Sequence, residues 1–244
     1  MEQTIRFYCE NIKTGKVWLD QTEAHHLVNV LRLGIGEPVE LFDGKGVLAK
    51  AIIADVKQKN VMLEVDNIQN YSKRTSGRIV IAASVAKGHR FDQLITKCTE
   101  LGTDHIAAVL FERTVKQSKG SSVVQRYNKL AISAAKQCGR IILPSITEPA
   151  GLAEILELLK NTYTNAKLIY GSLSIDAKSI TELINDRSDI IAFVGPEGGI
   201  TCDEENLLKQ YNAGKVKITN TVLRIETAAI AFASILCADR DRAT

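Results

Sequence analysis

Strand-like apolar runs alternate with helix-like segments along the chain from residue 78 onwards. The apolar runs occupy residues 78–86, 105–111, 167–170, 189–194 and 215–218. Helical patterns follow them at residues 89–101, 122–138, 179–185, 202–211 and 226–238. Strands that are apolar along their whole length belong to parallel sheets that helices cover on both faces. The alternation therefore predicts an α/β domain with a parallel sheet, whose ligands would bind beyond the carboxyl ends of the strands.

The first 72 residues follow a different pattern, in which several short strands accompany one helix. Their apolar stretches lie at residues 16–19, 38–42, 47–56 and 61–68. The helix fits residues 23–33, with Thr22 as its N-cap and Gly34 as its stop. This pattern predicts a small β-barrel over residues 1–72. A polar, turn-rich linker at 71–77 then leads into a second domain over residues 73–244.

The composition favours a folded protein with reduced thiols. Apolar residues make up 45% of the 244 positions, which is enough for a hydrophobic core. No apolar run approaches the roughly 18 residues of a membrane span, and the first residues lack the pattern of a signal peptide. The five cysteines are an odd number without a close pair, so we expect free thiols. The expected location is cytoplasmic.

Positive charge is concentrated in the middle of the chain, although the net charge of the whole chain is only +3. Residues 73–140 hold 13 basic and 4 acidic side chains, a net charge of +9. The net charge is −2 over residues 1–72 and −4 over residues 141–244. A basic stretch inside a folded region indicates a phosphate-rich partner. A solvated helix face gives the same pattern, so charge alone leaves both interpretations open.

A glycine-rich acidic loop joins the strand at 189–194 to the following helix, and its sequence is Gly195-Pro196-Glu197-Gly198-Gly199. Thr201 and Glu204 have the spacing of a capping box, which accounts for the start of the helix. The glycines would let a ligand approach the main chain closely, and Pro196 restrains the loop. The spacing matches neither GxGxxG nor GxxxxGK[ST], so Rossmann and P-loop sites lack their fingerprints. A ligand-binding loop and a simple tight turn both fit this pattern.

A second polar loop precedes the last helix, over residues 218–225. Arg224 and Glu226 stand at the start of that helix, which is otherwise apolar nearly all round and is predicted to be buried or to lie in a subunit contact. Such a charged pair either forms a salt bridge at the helix start or acts on a ligand. In the second case Arg224 would handle an anionic group and Glu226 would orient it.

These two segments, the glycine-rich loop and Leu223-Arg224-Ile225-Glu226-Thr227-Ala228, resemble the RsmE family. Its members are SPOUT-class methyltransferases that methylate N3 of a uridine in small-subunit (16S) ribosomal RNA. The resemblance extends to Lys87-Gly88, Lys97-Cys98-Thr99-Glu100-Leu101-Gly102 and Gln137-Cys138-Gly139-Arg140 with Pro144. In the N-terminal part it includes His26, Val30-Leu31-Arg32 and Asp43-Gly44. The motifs occur in order along the whole chain.

The resemblance implies a fold, a cofactor and partners. The N-terminal barrel would be PUA-like and bind RNA. The second domain would be a SPOUT α/β domain with a trefoil knot, formed by the C-terminal segment and holding S-adenosyl-L-methionine. The family is dimeric, with its active site near the subunit interface, so a homodimer is implied. The substrate would be 16S rRNA in an assembled or nearly assembled small ribosomal subunit, with no membrane and no metal involved.

The predicted site residues fall into three groups. The loops at the strand ends are expected to bind the cofactor through Gly171, Gly195, Pro196, Glu197, Gly198, Gly199, Ile218, Thr219, Asn220, Val222 and Leu223. Substrate RNA is expected to contact Lys87, Arg90, Arg126, Gln137 and Arg140. Arg224 and Glu226 are the predicted catalytic residues. Arg224 would stabilise the negative charge that develops on uracil when N3 loses its proton, and Glu226 would orient Arg224 or take part in removing that proton.

Three positions depart from the family pattern. The family usually has Leu-Gly before the last loop, and often an arginine two residues later, where this chain has Ile218, Thr219 and Thr221. The loss of the glycine matters if that position needs a positive φ, which threonine tolerates badly. The change at Thr221 removes a possible contact with RNA phosphate.

Two other classes of function fit parts of the sequence. One is a non-catalytic RNA-binding protein with a vestigial nucleotide-binding domain, and the other is a different nucleotide enzyme on a doubly wound sheet. Binding of S-adenosylmethionine, NAD or ATP distinguishes them. The adjacent His25 and His26 do not indicate a metal site, because neighbouring residues on a helix point about 100° apart and no ligand cluster accompanies them.

Overall fold

A computed structural model describes residues 4–57, 60–115, 120–182 and 188–242. The chain divides into two compact units. The first contains Met1–Lys73 and Ile132–Leu143, and the second contains Arg74–Ala131 and Pro144–Thr244. The predicted ranges, 1–72 and 73–244, put residues 132–143 in the second domain, whereas these residues group with the first unit.

The first unit is built on a five-stranded sheet. Its strands are β1 (Arg6–Tyr8), β2 (Gly15–Trp18), β3 (Pro38–Phe42), β4 (Val47–Lys57) and β5 (Asn60–Asn70). They lie in the order β1-β3-β4-β5-β2, and all pairs are antiparallel except β1 with β3. Side chains on alternate positions of β4 and β5, such as Ile53 and Leu63, are buried in the core of this unit.

The helix of the first unit begins earlier than predicted. Helix α1 spans Gln21–His25, and the side chain of Asp20, not Thr22, caps it by accepting hydrogen bonds from the main-chain N–H groups of residues 22 and 23. The carboxylate of Asp20 is a strong N-cap acceptor, which explains why the cap lies two residues before the predicted one. The chain continues as a π-helix over His26–Leu31 and ends at Arg32, whose φ is 56°, before the predicted stop at Gly34.

The second unit confirms the prediction of a parallel sheet. Its eight strands are β6 (Ile79–Ser84), β7 (His105–Leu110), β8 (Ser145–Ile146), β9 (Ala150–Gly151), β10 (Lys167–Gly171), β11 (Lys178–Ser179), β12 (Ile190–Val194) and β13 (Gly214–Lys217). The order is β11-β13-β10-β12-β6-β7-β8, with β9 also paired to β7, and every pair is parallel. All residues of β6 and β12 are buried, as the continuous apolar runs predicted.

Five long helices complete the chain: α2 (Arg90–Leu101), α3 (Ser121–Cys138), α4 (Leu152–Thr162), α5 (Cys202–Gln210) and α6 (Ile225–Arg242). Four were predicted, and α4 was missed although its apolar residues have helical spacing and are buried. The helix predicted at 179–185 is wrong at its start, where the chain forms strand β11 and a 3₁₀ turn, Ile180–Glu182; residues 183–187 lie outside the described residues. None of the helices in the described parts has the length and hydropathy needed to cross a membrane.

Candidate active site

Three neighbouring strands of the second unit, β13, β10 and β12, end beside one cleft. The cleft has a volume of about 530 Å³ and is lined by the segments that follow these strands, near residues 171–174, 195–200 and 217–223. The carboxyl edge of a parallel sheet is the usual place for a ligand. The cleft brings together most of the predicted cofactor residues: Gly171, Gly195, Pro196, Glu197, Gly198, Gly199, Ile218, Thr219, Val222 and Leu223. Asn220 is not among the lining residues.

The glycine-rich loop turns tightly against the cleft. The N–H of Gly199 donates to the carbonyl of Pro196 at 2.9 Å, and Gly199 has a φ of 77°, a conformation that favours glycine. A Cβ atom at Gly195 would stand 2.6 Å from Cγ1 of Ile200, so a side chain there would force Ile200 or the loop to shift. The predicted capping box of Thr201 and Glu204 is confirmed, and it begins helix α5 directly after the loop.

The second wall of the cleft contains the positions that depart from the family pattern. The hydroxyl groups of Thr219 and Thr221 lie 3.2 Å apart. Thr219 does not have a positive φ, so threonine causes no backbone strain at this position. Val222 lies at the mouth of the cleft and is 80% exposed.

Charged side chains form a polar network along the cleft that the sequence patterns did not reveal. The hydroxyl of Tyr170 donates to Oε1 of Glu205 at 2.9 Å, and Lys215 contacts the same oxygen at 2.8 Å. Lys215 also lies 3.0 Å from Asp176. These contacts join residues up to 39 positions apart, and only the strand-end location of Tyr170 could have pointed to them.

The network has consistent effects on pKa. The hydrogen bond from Lys215, followed by that from Tyr170, lowers the pKa of Glu205. Burial, followed by the contact with Glu205, raises the pKa of Tyr170, and hydrogen bonds to Glu205 and Asp176 raise that of Lys215. At neutral pH the network therefore contains a neutral tyrosine, a cationic lysine and two carboxylates.

The two predicted catalytic residues stand in different environments at the start of α6. Arg224 is exposed and directly follows Leu223, which lines the cleft. Glu226 is only 7% exposed, and its Oε2 atom has no hydrogen-bond partner in the described structure. Among the described residues the two side chains form no ion pair with each other. The salt bridge that was one interpretation of this pair is therefore not observed.

The residues predicted to contact RNA are divided between the two units. Lys87, Arg90 and Arg126 belong to the second unit, and Gln137 and Arg140 belong to the first. Arg90 forms an ion pair with Glu197 of the glycine-rich loop, and Arg126 forms one with Asp92. The side chain of Lys87 is exposed, and in the described residues no carboxylate pairs with it. Of the three predicted RNA contacts in the second unit, Lys87 is thus the one whose positive charge no described carboxylate neutralises.

Over residues 4–57, 60–115, 120–182 and 188–242, no group of three or more histidine, cysteine or acidic side chains is arranged to hold a metal ion. In the same residues all five cysteines are free thiols.

Comparison with known proteins places the chain in a family. A model described as an RNA methyltransferase domain matches residues 73–237, and a model described as an RNA methyltransferase PUA domain matches residues 19–66. Ribosomal RNA small subunit methyltransferase E of Buchnera aphidicola is 27% identical, covering 87% of this chain and 84% of the relative. The Bacillus subtilis protein of the same name is 26% identical, covering 85% of this chain and 84% of the relative.

Two solved structures have the same fold as this chain over nearly its whole length. A methyltransferase from Legionella pneumophila in complex with SAM has a TM-score of 0.88 and 27% identity, covering 97% of this chain and 98% of the other. Ribosomal RNA small subunit methyltransferase E from Neisseria gonorrhoeae, bound to S-adenosyl methionine, has a TM-score of 0.84 and 28% identity, with the same coverage. The predicted combination of a PUA-like domain with a SPOUT α/β domain is confirmed. The chain belongs to the RNA methyltransferase domain family and, within it, to the RsmE family.

Proposed function

We propose that this protein transfers a methyl group from S-adenosyl-L-methionine to N3 of a uridine in small-subunit (16S) ribosomal RNA. The observation that carries the proposal is the cleft at the ends of β10, β12 and β13, in a chain of the RNA methyltransferase family. Relatives of this chain carry the name ribosomal RNA small subunit methyltransferase E, and two similar structures were solved with S-adenosylmethionine bound. The uridine N3 position rests on the RsmE resemblance.

The cleft fits the cofactor by shape and by chemistry. Its volume lies in the range of roughly 300–1,000 Å³ typical of small-molecule sites, and it mixes apolar and polar side chains. Glycines at 171, 195, 198 and 199 keep the walls free of side chains, and a Cβ at Gly171 would already stand 3.3 Å from Phe232. The loops 195–199 and 218–223 would hold the nucleoside part through main-chain groups. When bound, the cofactor supplies an activated methyl group on a sulfonium.

The residues of this chain then have two tasks, alignment and charge stabilisation. Uridine N3 carries a proton and becomes a good nucleophile only when that proton leaves. The exposed guanidinium of Arg224, next to the cleft wall, is suited to stabilise the negative charge that spreads to the uracil carbonyls. The carboxylate of Glu226 would assist removal of the proton or orient Arg224, although the two side chains form no ion pair in the described structure.

The remaining parts of the proposal concern domains and partners. Residues 1–72 would act as an RNA-binding PUA-like domain, and residues 73–244 as the SPOUT domain with a C-terminal trefoil knot. The position of β13 between β10 and β11 fits a threaded C-terminal segment. The protein would act as a homodimer in the cytoplasm, on an assembled or nearly assembled small subunit. Lys87, Arg90, Arg126, Gln137 and Arg140 would contact the rRNA.

Isothermal titration with S-adenosylmethionine, NAD and ATP is the first experiment. Binding of S-adenosylmethionine alone supports the proposal, whereas binding of NAD or ATP points to a different nucleotide enzyme. A protein that binds RNA but none of the three would be the non-catalytic alternative with a vestigial second domain.

The site of methylation needs a second measurement. Small subunits purified from cells that lack the protein are incubated with enzyme and cofactor, and the rRNA is copied by reverse transcriptase. A methyl group on N3 blocks the Watson–Crick edge of uridine, so the copy should stop at one position. If the methyl group is transferred but the copy does not stop, the modified atom is not N3 of uridine.

A further inference from the structure

The loop after strand β7 contacts the glycine-rich loop of the cleft. Nη1 of Arg113 donates a hydrogen bond to the carbonyl oxygen of Gly198 at 2.6 Å. The stem of Arg113 lies over the same glycine, because a Cβ built on Gly198 would stand 3.3 Å from Cδ and 3.4 Å from Cβ of the arginine. Arg113 therefore covers the outer side of Gly198, while Gly198 lines the cleft.

The main chain beside Arg113 is itself held in place. The N–H of Glu112 donates to Oε1 of Glu204 at 2.7 Å, and Glu204 is the capping-box residue of α5. On the other side, the hydroxyl of Thr114 accepts from the N–H of Phe111 at 2.9 Å and lies 2.8 Å from the hydroxyl of Ser84. Arg113 thus projects from a braced turn, which makes it a suitable support for a neighbouring loop.

We propose that Arg113 is a positioning residue for the cofactor, which sets the conformation of the 195–199 loop through the carbonyl of Gly198. The inference rests on the proposed function, because it assigns a role within the proposed cofactor site. Arg113 acts through the loop and not by touching the reacting atoms. In the described residues it forms no ion pair with a carboxylate, so its charge is available to strengthen the bond to the carbonyl.

The geometry requires both halves of the arginine side chain. The aliphatic stem fills the space above Gly198, and the guanidinium reaches its carbonyl. Methionine retains an apolar stem without a strong donor, whereas lysine retains a charged donor without the planar fork. The two substitutions therefore separate packing from hydrogen bonding.

Arg113→Met should weaken binding of S-adenosylmethionine about tenfold, the expected loss for one charge-assisted hydrogen bond. KM for the cofactor should rise by a similar factor, with kcat at saturating cofactor nearly unchanged, because loop order affects binding before chemistry. Hydrogen–deuterium exchange of the unliganded protein should speed up in peptides covering 195–201. Arg113→Lys should restore part of the lost affinity, and the melting temperature should change little in both variants.

Arg242→Met is the matched control, since Arg242 is an exposed arginine of the same unit that pairs with Asp239 away from the cleft. Unchanged affinity and unchanged exchange in Arg113→Met, with a wild type that binds the cofactor, overturn the role of Arg113 and leave the proposed function intact. A wild type that does not bind S-adenosylmethionine overturns both.

Discussion

Arg224 and Glu226 lie two residues apart at the start of α6, yet the side chain of Arg224 is exposed and that of Glu226 is buried, with no partner for its Oε2 atom among the residues that the structure describes. A buried carboxylate oxygen that lacks a hydrogen bond costs free energy of folding, so its presence favours a functional role over a stabilising one. No ion pair joins the two side chains in the described residues, so Arg224 does not stabilise the start of α6 through Glu226. These environments allow catalytic and structural effects to be separated.

Replacing Arg224 tests its catalytic role. Arg224→Ala should lower kcat on the order of 10²-fold, by analogy with the loss of one oxyanion donor, while cofactor affinity and melting temperature change little. Arg224→Lys keeps the charge without the planar fork, so it distinguishes a charge effect from contacts with two carbonyl groups. Turnover on small-subunit rRNA and thermal melting are measured together. Near-normal turnover in both variants would remove Arg224 from the catalytic group.

Glu226→Gln removes a charge that is buried at the start of α6. Because Oε2 has no partner in the described structure, the free energy of unfolding should stay equal or rise. If the carboxylate orients Arg224 or takes part in proton removal, kcat should fall by about 10²-fold or more. Urea unfolding and single-turnover methylation measure the two effects. A marked loss of stability with full activity on the folded protein would make Glu226 a structural residue.

Gly195→Ala tests whether the first wall of the cleft needs the close approach of main chain to ligand. The new methyl group would meet the side chain of Ile200 at 2.6 Å and displace either this side chain, which lines the cleft, or the loop, so affinity for S-adenosylmethionine should fall about tenfold or more. Gly34→Ala serves as the control, because that glycine has a negative φ and only one atom, at 4.0 Å, near the new methyl group. If Gly195→Ala and the wild type bind S-adenosylmethionine with equal affinity, the loop is only a tight turn and does not bind the cofactor.

Salt dependence of RNA binding tests the basic surface of the second unit. Lys87→Gln should reduce the slope of log affinity against log salt by about 0.7–0.9, the value for one phosphate contact. Arg126→Gln should have a smaller effect, because Asp92 already neutralises that arginine. Lys50→Gln, on an exposed position of β4, is the comparison in the first unit. If Lys50→Gln changes the slope and Lys87→Gln does not, the RNA contact surface lies on the first unit instead.

His105 should make stability dependent on pH in weak acid. Its Nδ1 lies 3.0 Å from the hydroxyl of Tyr163, and burial lowers its pKa from 6.5 to about 4. In the unfolded chain His105 binds a proton more readily than in the folded protein. The contribution of neutral His105 to the free energy of unfolding is therefore complete above pH 6.5 and is lost as the pH falls towards 4. The loss amounts to about 3 kcal/mol over this window. Urea unfolding from pH 7.5 to 4 should show a smaller decrease for His105→Gln than for wild type.

Local patterns in the sequence were enough for much of the fold. The strands β6, β7 and β12 were predicted because buried parallel strands are apolar along their whole length, and a capping box identified the start of α5. The two loops that line the cleft were also predicted, because parallel strands bring their carboxyl ends to one edge of a sheet. In each case the deciding interactions lie within a few residues or repeat along one element.

Other features depended on residues far apart in the chain. Ser179 is in a strand because β13 pairs with it, although a helix was predicted to begin at this residue. The bond from Arg113 to Gly198 spans 85 residues, and that from Tyr170 to Glu205 spans 35. Strand order and the packing of loops on loops bring such pairs together, and neither leaves a periodic signal in the sequence. The elements and the glycine-rich loop thus follow from local propensity, whereas the partners that hold the loop in place follow from the three-dimensional arrangement of the sheet.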